Sequence, residues 1–422
     1  MIINGIAIDD TYAEAFGMKA TRIIITADSL TWAKHAANAA FGFATSVIAC
    51  GCEAAIEQEL TPEQTPDGRP GVAGLLFAVS TKELAKQLER RVGQCVLTCP
   101  STAVYAGCTG EEQLPLGKNL RYFGDGWQMS KVIAGRRFWR IPVMDGEFLA
   151  EESTGLLRSV GGGNFLVLAR SRGQALVACE AAAAAIAALP GAIAPFPGGV
   201  VRSGSKVGSK YKALPASTND AFCPTLRGVA NSALTPEVEA VLEIVIDAVS
   251  DAAMRVAMRA GLDAVCSIGA AGGIVRLSAG NYGGKLGQFH YPLREILAAG
   301  RGLVVDSENR PQRGHFLPDS PAHSPAMGQE DGEKWAAAAD LQPTTKSRPA
   351  ANMSALTLTL RPGIPGRVDM SGILPETLAG LSAAEIARLN VAVEGRGIAL
   401  GELFELTAGD ADQLTIRTEH SV

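Results

Sequence analysis

Residues 72–93, VAGLLFAVSTKELAKQLERRVG, contain a complete transition from a strand to a helix. The apolar run at the start is typical of a buried strand. Ser80 and Glu83 follow with the spacing of a capping box, which predicts the start of a helix. Leucine and valine then recur every four positions from Leu84 to Val92, which predicts one buried helix face. The stretch therefore predicts a strand that leads directly into an amphipathic helix.

This pattern of strand, helix and second strand occurs four times in the chain. Each unit has about thirty residues, which suits a strand, a crossover helix and a parallel strand. Two interleaved units form a βαββαβ arrangement, so four units predict an α+β fold of two tandem ferredoxin-like lobes. A single larger α/β sheet is the alternative. The second strands of the four units are predicted at residues 45–51, 94–100, 192–201 and 273–280, and the other helices begin near Ser29, in the alanine-rich run from Ala175, and at Ser250.

Composition excludes several classes of protein. The chain has 422 residues, of which 47% are hydrophobic and 19% charged, and its net charge of −5 disfavours nucleic acid as a partner. The alanine-rich run contains Glu180 and ends at Pro190, which favours a packed helix over a membrane span. The opening MIINGIAIDD has no positive leader, so we predict a cytoplasmic protein.

The cysteines and glycine-rich stretches give no sign of a metal or nucleotide site. Of the eight cysteines, two form a CxC spacing and two a CxxxC spacing, without a second pair and matching histidines, which favours reduced core thiols and no metal. Residues 204–210, GSKVGSK, and residues 280–286, GNYGGKL, imitate a phosphate-binding P-loop, but their spacing is too short. We therefore expect no tightly bound cofactor.

Glu243 is the candidate for acid–base chemistry. In VLEIVID, residues 241–247, alternation places Leu242 and Ile244 on one face and Glu243 on the other, between two valines. A carboxyl group with little water around it has a raised pKa and exchanges a proton near neutral pH. The alternative is a glutamate that faces solvent on an open sheet face.

The stretch FPGGVVRSGSKVGSKYKALPASTND, residues 196–220, carries three lysines among glycines and serines. Such a loop can present ammonium groups and backbone amides to a carboxylated or phosphorylated ligand. A solvated linker is the alternative.

Blocks along residues 1–297 resemble the formylmethanofuran–tetrahydromethanopterin formyltransferase family. They occur in order, and include TPDGRPGV, YFGDGW, APFPGGVV, SKVGSK, LPASTNDAFCPT, EIVI and SAGNYGGKLGQ. The resemblance implies reversible transfer of a formyl group between N5 of tetrahydromethanopterin and the amine of methanofuran or methylofuran, which are cosubstrates and not bound cofactors. It implies that Glu243 is the catalytic acid–base residue. Matching blocks imply these substrate-binding residues: Lys206, Lys210, Ser217, Asn219, Asp220, Arg69 and Asp125.

The resemblance also implies partners. Within the family, the sequence resembles the methylotrophic bacterial branch, whose formyltransferase is a component of a formyltransferase/hydrolase complex that acts in formaldehyde oxidation. We therefore expect a homo-oligomer, a dimer or tetramer, together with subunits A, B and C of that complex. The alternative is a non-catalytic component that binds cosubstrates or acts as a scaffold.

The chain continues beyond the region of resemblance. We predict a first lobe with a turn-rich insertion at 1–150, a second lobe at 151–297 and a disordered linker at 298–352. Residues 353–422 resemble the start of the β-helical component of formylmethanofuran dehydrogenase without its repeats, which suggests two merged reading frames. Within this fragment, LTLTL alternates and residues 381–393 have helical spacing.

Overall fold

The computed structural model describes residues 1–214 and 216–299, together with the backbone of six strands between residues 355 and 417. The chain divides into two compact units, Met1–His323 and Ser324–Val422. The helices of the first unit are α1 (Leu30–Phe41), α2 (Val47–Cys50), α3 (Thr81–Arg91), α4 (Gly117–Leu120), α5 (Arg172–Ala187), α6 (Asp251–Ile268) and α7 (Leu293–Ala298). Its strands are β1 (Ile2–Ile3), β2 (Ile6–Ile8), β3 (Tyr12–Thr26), β4 (Glu53–Leu60), β5 (Gly71–Ala78), β6 (Ala103–Ala106), β7 (Gln113–Pro115), β8 (Met129–Ile133), β9 (Arg136–Val143), β10 (Gly146–Glu151), β11 (Ser153–Gly155), β12 (Leu157–Ala169), β13 (Ala192–Ile193), β14 (Ser205–Val207), β15 (Ala216–Thr218), β16 (Ala240–Ala248), β17 (Ile274–Ser278) and β18 (Phe289–Pro292).

Serine side chains begin the four long helices. The hydroxyl groups of Ser29, Ser80, Ser171 and Ser250 each accept a hydrogen bond from the backbone N–H three residues later. The predicted starts at Ser29, Ser80 and Ser250 are confirmed, whereas α5 begins at Arg172, before the predicted run from Ala175. At α3 only half of the capping box forms, because the Glu83 carboxylate binds Lys86 and Gln87.

One sheet contains the strands of both halves of the first unit. In the first half the order is β4–β5–β3–β6, and in the second half it is β13–β16–β12–β17, with every neighbouring pair antiparallel. Strand β3 also pairs with β12, so these strands belong to a single 14-stranded sheet. The first unit is therefore a mixed α/β structure built on one large sheet.

Helices cover one face of each half. Helices α5 and α6 pack on β16 and β12, and their buried alanines, Met254 and Met258 form one core with Phe165 and Ile244. A second core lies in the first half, where Leu84 and Leu88 of α3 pack with Ile23 of β3. The apolar stripes predicted for these helices are thus confirmed.

Two of the predicted second strands are wrong, and the third, at residues 192–201, forms a strand only at Ala192–Ile193 before a 3₁₀ turn at Pro197–Gly199. Within residues 45–51, the Ser46 hydroxyl accepts a hydrogen bond from the Ile48 N–H and starts α2, which ends at Cys50 and is followed by Gly51 with φ 76°. The strand β4 begins only at Glu53. Residues 94–100 instead continue the helical path of α3 through a π-helical turn at Val92–Val96, and β6 begins at Ala103.

The turn-rich insertion extends the sheet. Strands β8, β9 and β10 form two antiparallel hairpins, and β10 pairs in parallel with β6. Among the described residues, no helix combines the length and the apolarity that a membrane span requires.

The described strands of the second unit are β19 (Ala355–Leu360), β20 (Val368–Asp369), β21 (Asn390–Val393), β22 (Arg396–Ala399), β23 (Phe404–Gly409) and β24 (Thr415–Arg417). They form two three-stranded sheets, ordered β23–β19–β24 and β20–β21–β22. The alternating LTLTL lies in β19, whereas the helix predicted at residues 381–393 is wrong for its last four residues, which form β21. The remaining predictions for residues 300–422 lie outside the described residues.

Candidate functional site

Glu243 lies in the middle of β16, on the sheet face that α5 and α6 do not cover. Its neighbours Ile244 and Ile246 are fully buried against the helices, which confirms the predicted alternation. Glu243 pairs with Leu166 of β12. On its other side, its backbone exchanges two hydrogen bonds with Val201, 2.8 and 2.9 Å long. The strand therefore holds the Glu243 backbone rigidly while its side chain is half-buried.

The carboxyl group of Glu243 is poorly solvated. Burial raises its pKa to about 7, because the charged form loses the water that would stabilise it. A carboxyl group with this pKa is present in both protonation states at neutral pH, so it can accept and return a proton.

A small cavity of about 40 Å³ opens beside Glu243. In this measure of volume one water molecule needs about 10–15 Å³, so the cavity admits a few waters or a small reacting group. The chain segments on either side of the lysine-bearing hairpin reach the cavity. Its polar lining comes from Arg202, Ser203, Asn219, Cys223 and Glu243.

The loop that follows β17 also approaches Glu243. Ser278, the last residue of β17, pairs with Leu166, the same residue that pairs with Glu243. Two residues after Ser278, the Gly280 N–H donates a hydrogen bond of 2.6 Å to the Asn164 side chain. The Asn164 amide in turn donates one of 3.1 Å to the Gly280 carbonyl. Tyr282 then lies close enough for the charge of Glu243 to contribute, after burial, to the raised pKa of its phenol.

The predicted lysine-bearing loop is a hairpin of β14 and β15. Lys206 forms an exposed ion pair with Asp220 at 2.5 Å, and Ser217 donates a hydrogen bond to the Gly208 carbonyl at 2.7 Å. Lys210 is exposed near the tip. Of the predicted binding residues, the structure brings Asn219 into the Glu243 cavity, and the hairpin is continuous with that cavity.

Arg69 and Asp125 lie in the first half of the chain. The Arg69 guanidinium donates hydrogen bonds to Asp67, Asp28 and the Ser101 carbonyl. These bonds hold three segments of the first half together. Asp125 is exposed in a turn with φ 49°. None of the hydrogen bonds described for residues 1–214 and 216–299 connects either residue to Glu243.

Three residues at this site were missed by sequence reasoning: Glu14, Asn164 and Tyr282. The glycine-rich stretch at 280–286 imitates a P-loop and belongs to a block of family resemblance, and neither pattern indicates a role for its tyrosine. Its glycines instead form a loop whose backbone is bound by Glu14 and Asn164. An isolated glutamate between alanines in a long strand gave the only available signal for Glu14.

Other parts of the described chain offer weaker sites. A cavity of about 530 Å³ in the first half contains Arg22, Arg136 and Arg137, but each of these arginines is paired with a glutamate. No cluster of three His, Cys, Asp or Glu side chains occurs within the described residues that could hold a metal ion.

Comparison with known proteins identifies the family. A family model described as formylmethanofuran-tetrahydromethanopterin formyltransferase matches residues 1–143, and a model of the proximal lobe of the same enzyme matches residues 146–296. The chain belongs to this family. This formyltransferase chain is 68% identical over 298 residues to a formylmethanofuran–tetrahydromethanopterin formyltransferase of Methylococcus capsulatus, a match that covers 71% of this chain and 100% of the relative.

Two solved structures resemble this formyltransferase chain. One is the formyltransferase/hydrolase complex from Methylorubrum extorquens in complex with methylofuran, with 55% identity, a TM-score of 0.69, and coverage of 70% of this chain and 98% of the other. The second is the formyltransferase from Methanosarcina barkeri, with 47% identity, a TM-score of 0.67, and coverage of 70% and 100%. These matches confirm the resemblance found in the sequence of residues 1–297.

Proposed function

We propose that this protein transfers a formyl group, reversibly, between N5 of tetrahydromethanopterin and the amine of methanofuran or methylofuran in one-carbon metabolism. Its membership of the formyltransferase family carries this proposal, because one family model matches residues 1–143 and the other matches residues 146–296. Both carriers are cosubstrates. The half-buried carboxyl of Glu243, whose pKa is about 7, supplies the chemical group that the reaction needs.

The reaction needs alignment and the movement of one proton. Toward the furan carrier, the amine nitrogen attacks the formyl carbon, a new N–C bond forms, and the carbonyl electron pair moves to oxygen. The Glu243 carboxylate takes the proton that the attacking nitrogen loses. When the tetrahedral intermediate collapses, the bond from carbon to N5 breaks and N5 receives that proton from Glu243. Holding both carriers in position supplies the rest of the rate enhancement.

A direct assay tests this function. Purified full-length protein is incubated with formyl-tetrahydromethanopterin and a furan amine, with and without the partner proteins of the complex. We expect the N-formyl furan to form in both arms. If no formyl furan forms in either arm, the proposed activity is wrong.

We propose that the hairpin binds the anionic tails of the carriers through Lys206, Lys210, Ser217 and Asn219, with Asp220 holding Lys206 in place. Arg69 and Asp125 are retained as binding residues on the family resemblance alone. Within the described residues, no hydrogen bond links either of these two to the hairpin.

Replacing Lys210 with alanine is expected to raise the KM for the carrier it contacts about fivefold, since an exposed charge contact contributes on the order of 1 kcal/mol. The value of kcat should stay unchanged. Steady-state kinetics at two salt concentrations measure this, and added salt should shrink the difference. Lys82→Ala, which removes an exposed lysine of α3, is the matched control. Equal KM values for the two variants would contradict a binding role.

We propose that each half of the first unit is a ferredoxin-like lobe, with the first at 1–150 and the second at 151–297. The strand orders β4–β5–β3–β6 and β13–β16–β12–β17, each with two crossover helices, support this assignment. The two family models also separate between residues 143 and 146.

Deletion of residues 299–422 tests whether the lobes are sufficient. We expect kcat and KM within about twofold of the full chain, because all candidate site residues precede residue 298. Side-by-side kinetics of the two proteins measure this. A large loss of transfer activity would favour the scaffold role for the C-terminal segment.

We further propose that the protein is the formyltransferase component of a formyltransferase/hydrolase complex in formaldehyde oxidation, with subunits A, B and C as partners. The similarity to a chain of the Methylorubrum extorquens complex supports this proposal. A homo-oligomer and a cytoplasmic location remain predictions. Size-exclusion chromatography of the native assembly, followed by mass spectrometry of its components, tests the composition, and recovery of this chain alone would contradict it.

A further inference from the structure

Glu14 has an environment that its place in β3 does not require. It is fully buried, and all of its described side-chain hydrogen bonds come from one loop. One carboxylate oxygen accepts the N–H groups of Tyr282 and Gly284 at 2.7 and 2.8 Å. The other accepts the N–H groups of Leu286 and Gly287, both at 2.6 Å. A single carboxylate thus binds four amides of a loop at the opposite end of the first unit's sequence.

The charge on Glu14 is stabilised by these amides. Burial alone would raise its pKa, but the four backbone hydrogen bonds outweigh burial and lower the pKa to about 2. Glu14 is therefore ionised at every physiological pH. A neutral side chain at this position could not accept four hydrogen bonds, so the charge and the loop conformation depend on each other.

The loop that Glu14 binds, residues 280–287, carries Tyr282. Glu14 anchors its far end, and Asn164 clamps its start at Gly280. Between them, the Asn281 side chain donates to the Thr11 hydroxyl at 3.1 Å and the Tyr12 carbonyl at 3.2 Å. Loop 280–287 is consequently fixed at three places along its length.

Tyr282 is held against the same strand as Glu14. Its ring packs on Phe16, two residues along β3, with ring centroids 6.0 Å apart. The ring is half-buried. Burial raises the pKa of the phenol, and the negative charges of Glu243 and Glu14 raise it further. The hydroxyl group therefore keeps its proton at neutral pH and can donate a hydrogen bond.

We propose that Tyr282 is a second catalytic residue beside Glu243, donating its hydroxyl hydrogen to the formyl oxygen in the transition state, and that Glu14 is its positioning residue. This inference rests on the proposed formyl transfer. Glu243 cannot stabilise the oxyanion that forms during attack, because as a carboxylate it is negative itself. A neutral donor held rigidly near that oxygen meets the need.

Other groups that face Glu243 do not duplicate this arrangement. Arg202, Asn219 and Cys223 line the small cavity from the opposite side of the strand ladder, on segments without a comparable anchor among the described residues. Tyr282 approaches Glu243 from loop 280–287, close enough for the charge of Glu243 to act on its phenol.

The test is a double-mutant cycle in the full-length protein. Tyr282→Phe should lower kcat about 10²-fold, the loss found when one oxyanion donor is removed, with KM nearly unchanged. Glu14→Gln should lower kcat to a similar extent, because glutamine cannot accept all four amides. The double variant should be no slower than Tyr282→Phe alone, since both changes act through one hydroxyl group.

Hydrogen–deuterium exchange gives a readout that is independent of catalysis. In Glu14→Gln the amides of residues 280–287 should exchange at least about tenfold faster, whereas Tyr282→Phe should leave them protected. A matched control should keep wild-type kcat: Tyr291→Phe, which removes a phenol hydroxyl that binds Asp251.

Each outcome decides the matter. A wild-type kcat in Tyr282→Phe overturns the catalytic role of Tyr282. If Glu14→Gln does not fold, Tyr282→Phe alone still tests that role. Faster exchange with unchanged kcat in Glu14→Gln, or losses that add fully in the double variant, overturns positioning by Glu14. If wild-type protein transfers no formyl group while the exchange pattern is as expected, the proposed function has failed, and the catalytic inference fails with it.

Discussion

Replacement of Glu243 by glutamine is expected to lower kcat for formyl transfer by about 10²–10⁴-fold, the usual contribution of a general acid–base residue. Glutamine keeps the size of the side chain and its place on β16, but it cannot take the proton that the attacking amine loses. The KM values for both carriers should stay close to those of the wild type. Steady-state kinetics with each carrier varied in turn measure both effects.

The matched control for this change is Glu239→Gln. Glu239 lies just before β16 and is largely exposed, with a side-chain exposure of 62% and a weak ion pair to Arg227 at 3.7 Å. The Glu239→Gln variant should transfer the formyl group at the wild-type rate. If Glu243→Gln does the same, the acid–base role of Glu243 is wrong, and another group must move the proton.

The pH dependence of the reaction follows from the raised pKa of Glu243. The carboxylate is the form that accepts the amine proton, so below the pKa of about 7 the rate toward the furan carrier should fall as the pH falls. This limb should approach tenfold per pH unit and should be absent in Glu243→Gln. Ionisation of the furan amine adds a separate limb, which the variant should keep.

The sequence predicted those parts of the fold that depend on local patterns. Serine positions and apolar periodicity located α1, α3 and α6, and the alanine-rich run located α5. Alternation placed Glu243 on the face of β16 opposite Ile244. The strand predicted at residues 45–51 is wrong because a short apolar run fits a strand and a helical turn equally well. The Ser46 cap and the left-handed Gly51 decide in favour of the turn.

The site was only partly predictable for a similar reason. Glu243 sits in a strand whose pattern reveals its face, but Glu14 is defined by amides at the far end of the first unit, and no local pattern records that contact. The cavity residue Arg202 likewise meets Glu243 only because Val201 bridges to β16. Long-range pairing of strands brings these groups together, and a single sequence does not contain that pairing.

Glu57 connects the two halves of the first unit through a buried ion pair. From β4 it accepts two hydrogen bonds from the Arg22 guanidinium, at 2.5 and 2.7 Å, and it also accepts the Gly191 N–H just before β13, at 2.6 Å. The side chains of Arg22 and Glu57 are only 12% and 1% exposed. Burial alone would lower the pKa of Arg22, and the bonds to Glu57 raise it above its ordinary value.

Replacement of Glu57 by alanine is therefore expected to lower the free energy of unfolding by about 3–5 kcal/mol, because a buried guanidinium loses its carboxylate. Urea unfolding followed by circular dichroism measures the change. Glu59→Ala is the control on the same strand: its pair with Lys34 is exposed, with side-chain exposures of 52% and 43%, so its loss should cost less than about 1 kcal/mol. The double variant Arg22→Met/Glu57→Leu should recover much of the loss, since no charge is left buried. Equal stability of the two single variants would mean that this ion pair does not hold the halves together.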